Sequence, residues 1–363
     1  MIKKLNSPLF KISFVLALIF TLCIPAQTKA QESQLDKASI YFDNVPYTTK
    51  YIVVDGHLLV PAILLKRTGA FVDWNEKYQS IVFQTDKITF SLPIGTKYYD
   101  EYNSMTKKWK RGTLTAKSTE VDGEYYVPLV DVIKKLGMKI NYDSKLKRSF
   151  ITSNITVKKN LIQKVNTQDK LVTLTFDDGP DGDYTAKILD ILKEKGVKAT
   201  FFVVGKQVAT YPEVMKRIVK EGHGIGNHSW DHPYITKIWS SDVKKQIQST
   251  QTEIKQVTGR KPDLFRPPYG FTTKADIKIL NELGMRNVKW SIDTLDWSGT
   301  SADEIIEIIK RDTTPGGIVL QHNAKENSRA LDGTVEALPT IIDELRKKGY
   351  TFVTVQTLLD HQK

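Results

Sequence analysis

Five short polar clusters, all beyond residue 170, hold the side chains of this chain best suited to chemistry. They are Asp177-Asp178, His228 with His232, Arg266, Asp293 with Asp296, and His322. Carboxylates and imidazoles can share a divalent metal ion, while a further carboxylate and imidazole accept and donate protons. An arginine and additional carboxylates can orient and tune those groups. Together they suit metal-assisted hydrolysis of an unreactive bond such as an amide. Taken singly, each cluster is as readily a turn, a helix cap or a solvated loop. It is their succession that points to one site.

The local chemistry of each cluster is readable. Asp177 and Asp178 end the apolar run LVTLTF, and adjacent carboxylates on extended chain point in different directions, one toward a metal and one toward substrate. His228 and His232 stand at i and i+4, a common zinc-ligand spacing that puts two imidazoles on one face of a helical turn. His223 has no partner at such a spacing and reads as structural. Arg266 opens the rigid bend RPPYG, whose prolines can fix the cation against a carboxylate and aim backbone N–H groups into a pocket. Asp293, Asp296 and Trp297 follow one apolar run, and His322 ends another, IVLQH.

The elements around these clusters alternate. Strand-like runs at 171–176, 198–204, 287–292, 317–320 and 351–355 are interleaved with helical patterns at 184–195, 212–221, 241–257, 273–283, 302–311 and 335–348. Such alternation predicts parallel βα units, and polar clusters at the carboxyl ends of strands favour a barrel with its site on that face.

The first half is organised by an internal repeat. Val54-Asp55-Gly56 and Val60-Pro61 recur as Val121-Asp122-Gly123 and Val127-Pro128, each displaced by 67 residues. Both copies read as strand, Asp-Gly turn, strand, short helix ending near Gly69 or Gly137, and a further strand with Trp74 or Tyr142. Two units too small to bury their own apolar faces predict one small α+β module. His57 is its lone histidine and reads as a surface residue, not a metal ligand. The polar, lysine-rich stretch 154–170 reads as a linker.

The amino terminus has the build of a secretory signal. Lys3 and Lys4 precede a short apolar run at 12–25, and Thr28-Lys29-Ala30 offers a cleavage site. The run is short for a membrane span, although an uncleaved anchor is the alternative. Leu22 stands where a lipoprotein signal needs a small residue, which argues against a lipid anchor on Cys23, the single cysteine. The formal charge is +12, and Lys3, Lys4, Lys11 and Lys29 of the leader account for four of it, leaving about +8. That excess favours anionic surroundings such as a cell wall. No basic, aromatic-interleaved cluster marks a nucleic-acid face, so a nucleic-acid partner is not expected.

The succession TFDDGP, HSWDH, RPPYG, DTLDW and LQH resembles the five motifs of the polysaccharide deacetylases, the NodB-homology or carbohydrate esterase family 4 enzymes, over residues 171 to about 357. ATFFVVG and GHGIGNH also match that pattern. The resemblance implies a distorted (β/α) barrel of the NodB type in which Asp178, His228 and His232 hold one divalent metal ion, zinc ahead of cobalt or nickel. It implies Asp177 as general base paired with Arg266, and His322 as general acid tuned by Asp296. Trp297 and Leu320 would line an acetyl pocket, the Tyr269 backbone N–H would complete an oxyanion hole, and Asp293 would have a supporting role. Two departures are Asn323, where many members have Asp, and Gly224, where Glu is more frequent. The VPL-type strand-to-helix start and LGA-type end over residues 37 to 153 resemble the copper amine oxidase N-terminal-like, or stalk, domain, read here as a spacer or wall-associating support.

The expected organisation is therefore a signal peptide at 1–30, the stalk-like module at 31–153, a linker at 154–170 and a catalytic domain at 171–363. The expected activity is metal-dependent removal of N-acetyl groups from a cell-wall glycan, most readily peptidoglycan N-acetylglucosamine, by a secreted, wall-associated enzyme. Chitin or chitooligosaccharide is the alternative substrate. A catalytically weak wall-binding protein is the alternative of a different class.

Overall fold

The computed structural model describes residues 35–324 and 331–362, so the leader and Cys23 lie outside the described residues. Residues 36 onward form one compact unit. Among the described residues, no helix is long and apolar enough to cross a membrane.

The amino-terminal repeat folds as its turns dictate. Asp55-Gly56 and Asp122-Gly123 both take positive φ at each residue, the twist that closes a two-residue hairpin. Each second strand, His57–Pro61 or Glu124–Pro128, runs into a short helix, Ala62–Thr68 (3-10) or Leu129–Lys135 (α). The two copies pair antiparallel through those strands, with Val60 directly opposite its own repeat partner Val127. Each copy thus buries its apolar face against the other. A five-stranded antiparallel meander from Phe71 to Thr113 and a sheet built on Lys37–Phe42 complete a module richer in strand than an α+β reading suggests.

The second half is a parallel sheet. Its strands are β1 (Leu171–Asp177), β2 (Thr200–Val203), β3 (Gly224–Asn227), β4 (Leu264–Phe265), β5 (Arg286–Asn287), β6 (Ile292–Asp293), β7 (Gly317–His322) and β8 (Thr351–Phe352). They lie in the order β5-β4-β3-β2-β1-β7-β6, with β8 also on β1, every pairing parallel. The helices α1 (Tyr184–Glu194), α2 (Gly205–Thr210), α3 (Pro212–Lys220), α4 (Ser240–Thr258), α5 (Lys274–Glu282), α6 (Ala302–Asp312), α7 (Asp332–Lys347) and α8 (Val355–Asp360) follow strands or strand-end loops. Period-two alternation divides β1: Val172, Leu174 and Phe176 enter the outer core with Ile188, Ile341 and Ile342, leaving Thr173, Thr175 and Asp177 for the other face. The result is the distorted (β/α) barrel expected.

Two expectations need correcting. The strand expected at 287–292 is two two-residue strands, because the chain crosses between opposite ends of the sheet at 288–291. The strand expected at 351–355 stops at Phe352, and Thr354 caps α8 by accepting the Thr357 N–H. The linker stretch 154–170 packs along the barrel: Val165 is fully buried, Ile162 bridges to Val288, and Asn160 donates to Asn281 and to the Met285 carbonyl.

The two histidines read as lying outside the site, His57 and His223, fall as read. His57 is exposed, whereas His223 is buried, accepts the Ala199 N–H at its Nδ1 and stands edge-on to Phe201. Burial, assisted by Lys198 against the pull of Glu221, pushes the His223 pKa down to about 4 from 6.5. Because the folded value is depressed, the neutral ring's stabilisation is complete above pH 6.5 and lost as pH falls toward 4. The free energy of unfolding followed from pH 7 to pH 4 should fall more steeply for the native chain than for His223→Gln, by on the order of 3 kcal/mol across that window.

Candidate active site

Strand register brings the clusters together. In the β1–β7 ladder Asp177 is paired with His322, and Thr175 with Leu320. On the other side of β1, Asp177 is paired with Phe202 of β2, which pairs with Gly226 of β3. Asn227 pairs with Phe265, so His228 and Arg266 leave adjacent strand ends. Asp293 of β6 pairs with Leu320. All five clusters therefore meet at the carboxyl edge of one sheet, around a cavity of about 450 Å³.

Arg266 is fully buried and points back under this cavity. Its Nη1 donates to Asp177 Oδ1 at 2.7 Å and to Thr175 Oγ1 at 2.8 Å, and its other donors reach the carbonyls of Lys289 (3.0 Å) and Val288 (3.3 Å). Phe202 lies 4.0 Å beneath the guanidinium carbon. Acceptors thus meet the Nε–H, both Nη1–H groups and one Nη2–H of this cation, and a ring covers one face. Asp177 is left fixed, with Oδ2 3.8 Å from His228 Nε2.

Asp178 turns the other way. It sits at φ 79°, and the following Gly179 donates its N–H to Asn323 Oδ1 at 3.1 Å. A Cβ on Gly179 would lie 2.2 Å from Asn323 Nδ2, so this turn requires glycine. Asp178 Oδ1 is buried without a hydrogen-bond partner and lies 3.4 Å from both His228 Nε2 and His232 Nε2. Burial alone would raise its pKa, yet the neighbouring imidazoles, His228 foremost, hold the carboxyl well below the usual range. Burial likewise lowers the His228 pKa, and Asp177 with Asp178 outweighs it and raises it.

The two histidines are presented by a loop, not by the helical turn their spacing predicts. His228 follows β3, and the chain then reverses through positive φ at Ser229 and His232, held by Asn227 Oδ1 to Ser229 N–H and Ser229 Oγ to His232 N–H. His228 Nδ1 is 2.8 Å from the Arg266 carbonyl, which fixes the proton there and turns the Nε2 lone pair inward. The Asp178, His228 and His232 donor atoms lie within 4.8 Å of one another. Edges of 3.4 Å are those of a tetrahedron with bonds of about 2.1 Å, so the residues present fit a four-coordinate divalent ion.

Asp296 serves His322 in full. One oxygen accepts from His322 Nδ1 (2.7 Å) and the Trp297 N–H, the other from the His322 N–H (2.8 Å) and Thr334 Oγ1 (2.8 Å). Burial opposes protonation of His322, but Asp296 first, then Asp178 and Asp177, push its pKa up to about 10. Asp293 accepts the Leu295 N–H and faces the cavity.

The cavity is lined by Asp177, Asp178, His228, His232, Tyr269, Trp297, Leu320 and His322, each expected from the sequence, while Arg266 and Asp296 stand behind the wall. Tyr269 holds φ 59°, and its ring stacks on Tyr234 at 3.6 Å. Tyr234, Phe271 and Trp290 also line the cavity and Thr175 and Thr334 support it, none of them anticipated. Thr175 was open to inference, since it alternates with Asp177 along β1. Thr334 and Tyr234 carry no local signal. Gly224 has a packing reason: a Cβ there would lie 2.5 Å from Gln356 Oε1.

Comparison with known proteins agrees with this geometry. Residues 164–288 match the polysaccharide deacetylase family model, and residues 34–151 match the copper amine oxidase N-terminal domain. A peptidoglycan-N-acetylglucosamine deacetylase of Bacillus cereus is 42% identical over 192 residues, 53% of this chain and 69% of that protein. A relative of the same description from Listeria monocytogenes is 35% identical over 252 residues, 69% of this chain, and this chain spans only 52% of its length. The crystal structure of the Bc1960 peptidoglycan N-acetylglucosamine deacetylase, bound to 4-naphthalen-1-yl-N-oxidanyl-benzamide, superposes with a TM-score of 0.54 at 38% identity, covering 56% of this chain and 95% of that one. With its motifs gathered at one strand edge and most of such a relative aligned, this chain belongs to the polysaccharide deacetylase family.

Proposed function

We propose that this chain hydrolyses the N-acetyl groups of peptidoglycan N-acetylglucosamine, releasing acetate and leaving glucosamine in the glycan. The observation that carries the reading is the convergence of an Arg266-held carboxylate, an Asp296-held imidazole and a three-donor metal cluster on one cavity. Relatives named for peptidoglycan deacetylation support the choice of glycan. The leader at 1–30 and the positive charge support secretion to an anionic wall. We divide the chain into that leader, a module to 153, a packed connector and a catalytic domain from 171.

Asp178, His228 and His232 would hold the metal, and two imidazoles with one carboxylate suit zinc, with cobalt or nickel as substitutes. When bound, the ion supplies Lewis-acid polarisation of the acetyl carbonyl and of the attacking water. Asp177 takes the proton of that water as its oxygen bonds to the carbonyl carbon; Arg266 engages Oδ1 and so leaves Oδ2 as the accepting atom. The Tyr269 backbone N–H serves the developing oxyanion. His322, protonated through Asp296, gives its proton to the sugar nitrogen as the C–N bond breaks. Leu320 and Trp297 enclose the acetyl methyl and keep bulk water from it.

Mass spectrometry of purified peptidoglycan, scored separately for glucosamine and muramic acid, should register acetyl loss from the former. The loss should stop on chelation and return with zinc; intact acetyl groups on both sugars would leave the wall-binding alternative. Asp177→Asn keeps an acceptor for Arg266 but no base, so acetate release should fall by about 10³ or more while bound metal stays stoichiometric. Asp296→Asn removes the charge that favours the His322 imidazolium, so His322 loses its proton at lower pH. The alkaline limb of kcat/KM should then move down by about one pH unit or more.

A further inference from the structure

The repeat contains one misfit. Lys66 occupies the position that Ile133 fills in the second copy, 67 residues on. Ile133 is fully buried in the module's apolar core. Lys66 is equally buried, but its ammonium leaves the module altogether. It donates to the carbonyls of Ile235 (2.7 Å) and Ile238 (2.9 Å) and lies 2.8 Å from Asp276 Oδ1, with neither charged side chain exposed. An ammonium is tolerated in such surroundings only when its charge is answered; here two carbonyls accept its N–H groups and the Asp276 carboxylate supplies the counter-charge.

The three partners belong to two segments of the active site. Ile235 and Ile238 lie just after His232 and Tyr234. Asp276 begins α5, just after Tyr269 and Phe271, and closes the capping box with Thr273. On the cavity side the same two segments touch again: Tyr234 stacks on Tyr269, and the His232 ring lies 4.7 Å from that of Tyr269. His232 and Tyr269 are both left-handed, at φ 60° and 59°. That region is uncommon for any residue but glycine, more readily entered by histidine than by tyrosine, and such positions persist where their surroundings over-determine them. One clamp is the tyrosine stack at the mouth; the other is Lys66 from behind. The module adds lesser ties to the same segments, with Ser240 Oγ accepting the Val72 N–H and Asp73 accepting the Ser241 N–H.

We propose that Lys66 is a positioning residue for deacetylation: from the amino-terminal module it ties the segment bearing His232 to the segment bearing Tyr269, so that the module completes the metal site. This rests on the reading of His232 as a ligand.

The direct variant, Lys66→Met, strands Asp276 as a buried unpaired anion and invites misfolding. The paired variant Lys66→Met with Asp276→Asn removes both charges and leaves the α5 cap an acceptor. Its fold is checked by circular dichroism and a cooperative melt, and its zinc affinity by chelator competition in the absence of substrate. The expected result is a folded protein whose zinc Kd rises about tenfold or more, with kcat lowered and KM for a soluble N-acetylglucosamine oligomer little changed. Lys278→Ala, which breaks an ion pair to the exposed Asp86 across the same interface, should alter none of these. A folded paired variant that binds zinc within about twofold of the native chain overturns the proposal. Loss of the cooperative fold overturns it too, since the pair would then be holding the module and not the site. If the native chain itself takes up no zinc, the metal reading falls first, and this falls with it.

Discussion

A guanidinium with no access to water lies under the mouth of the barrel, and much of the site's form follows from keeping it there. A buried arginine is tolerable only if each N–H finds an acceptor and its charge finds a counter-ion. Asp177 supplies the charge, Thr175 and the Val288 and Lys289 carbonyls supply acceptors, and Phe202 supplies a face. Those partners sit on β1, β2 and the chain leaving β5, so satisfying one side chain fixes three elements around the Asp177 carboxylate. The Arg266 carbonyl also receives His228 Nδ1, which extends the same constraint to the metal cluster.

Adjacent carboxylates come to play different roles because their surroundings differ. Asp177 faces a permanent cation, whereas Asp178 faces two imidazoles and keeps a buried oxygen without a hydrogen-bond partner. The imidazoles divide likewise. Nδ1 of His228 is committed to a neutral carbonyl, which suits a ligand, while Nδ1 of His322 is committed to a carboxylate, which suits a proton donor. In the proposed mechanism, like residues are thus sorted into metal ligand, base and acid by what stands behind them.

The sequence made legible what depends on short-range pattern: the alternation that puts Asp177 on one face of β1, the motif at each strand end, and the Asp-Gly turns of the repeat. Its errors are instructive. The i, i+4 spacing identified His228 and His232, but a loop with two left-handed residues delivers them, and composition gives no warning of that. The run at 287–292 has strand-forming residues yet spans the gap between opposite edges of the sheet, a matter of topology. Polar, lysine-rich 154–170 concealed Val165 and Asn160, whose partners are remote in sequence. Tyr234 and Thr334 entered the site for the same reason. Lys66 differs, because aligning the two copies sets a lysine against an isoleucine.

The pairing of Val60 with Val127 makes the two copies equivalent within the module, but their helices are sheltered by different neighbours. The helix Leu129–Lys135 is covered by the meander, where Lys135 reaches Tyr99 and Glu101. The helix Ala62–Thr68 is covered by the barrel, and Trp239 from the barrel packs into the module's own core. The barrel therefore stands to one copy as the meander stands to the other. A chain cut at the connector would uncover the face where Trp239 packs against the module and Phe71 against the barrel.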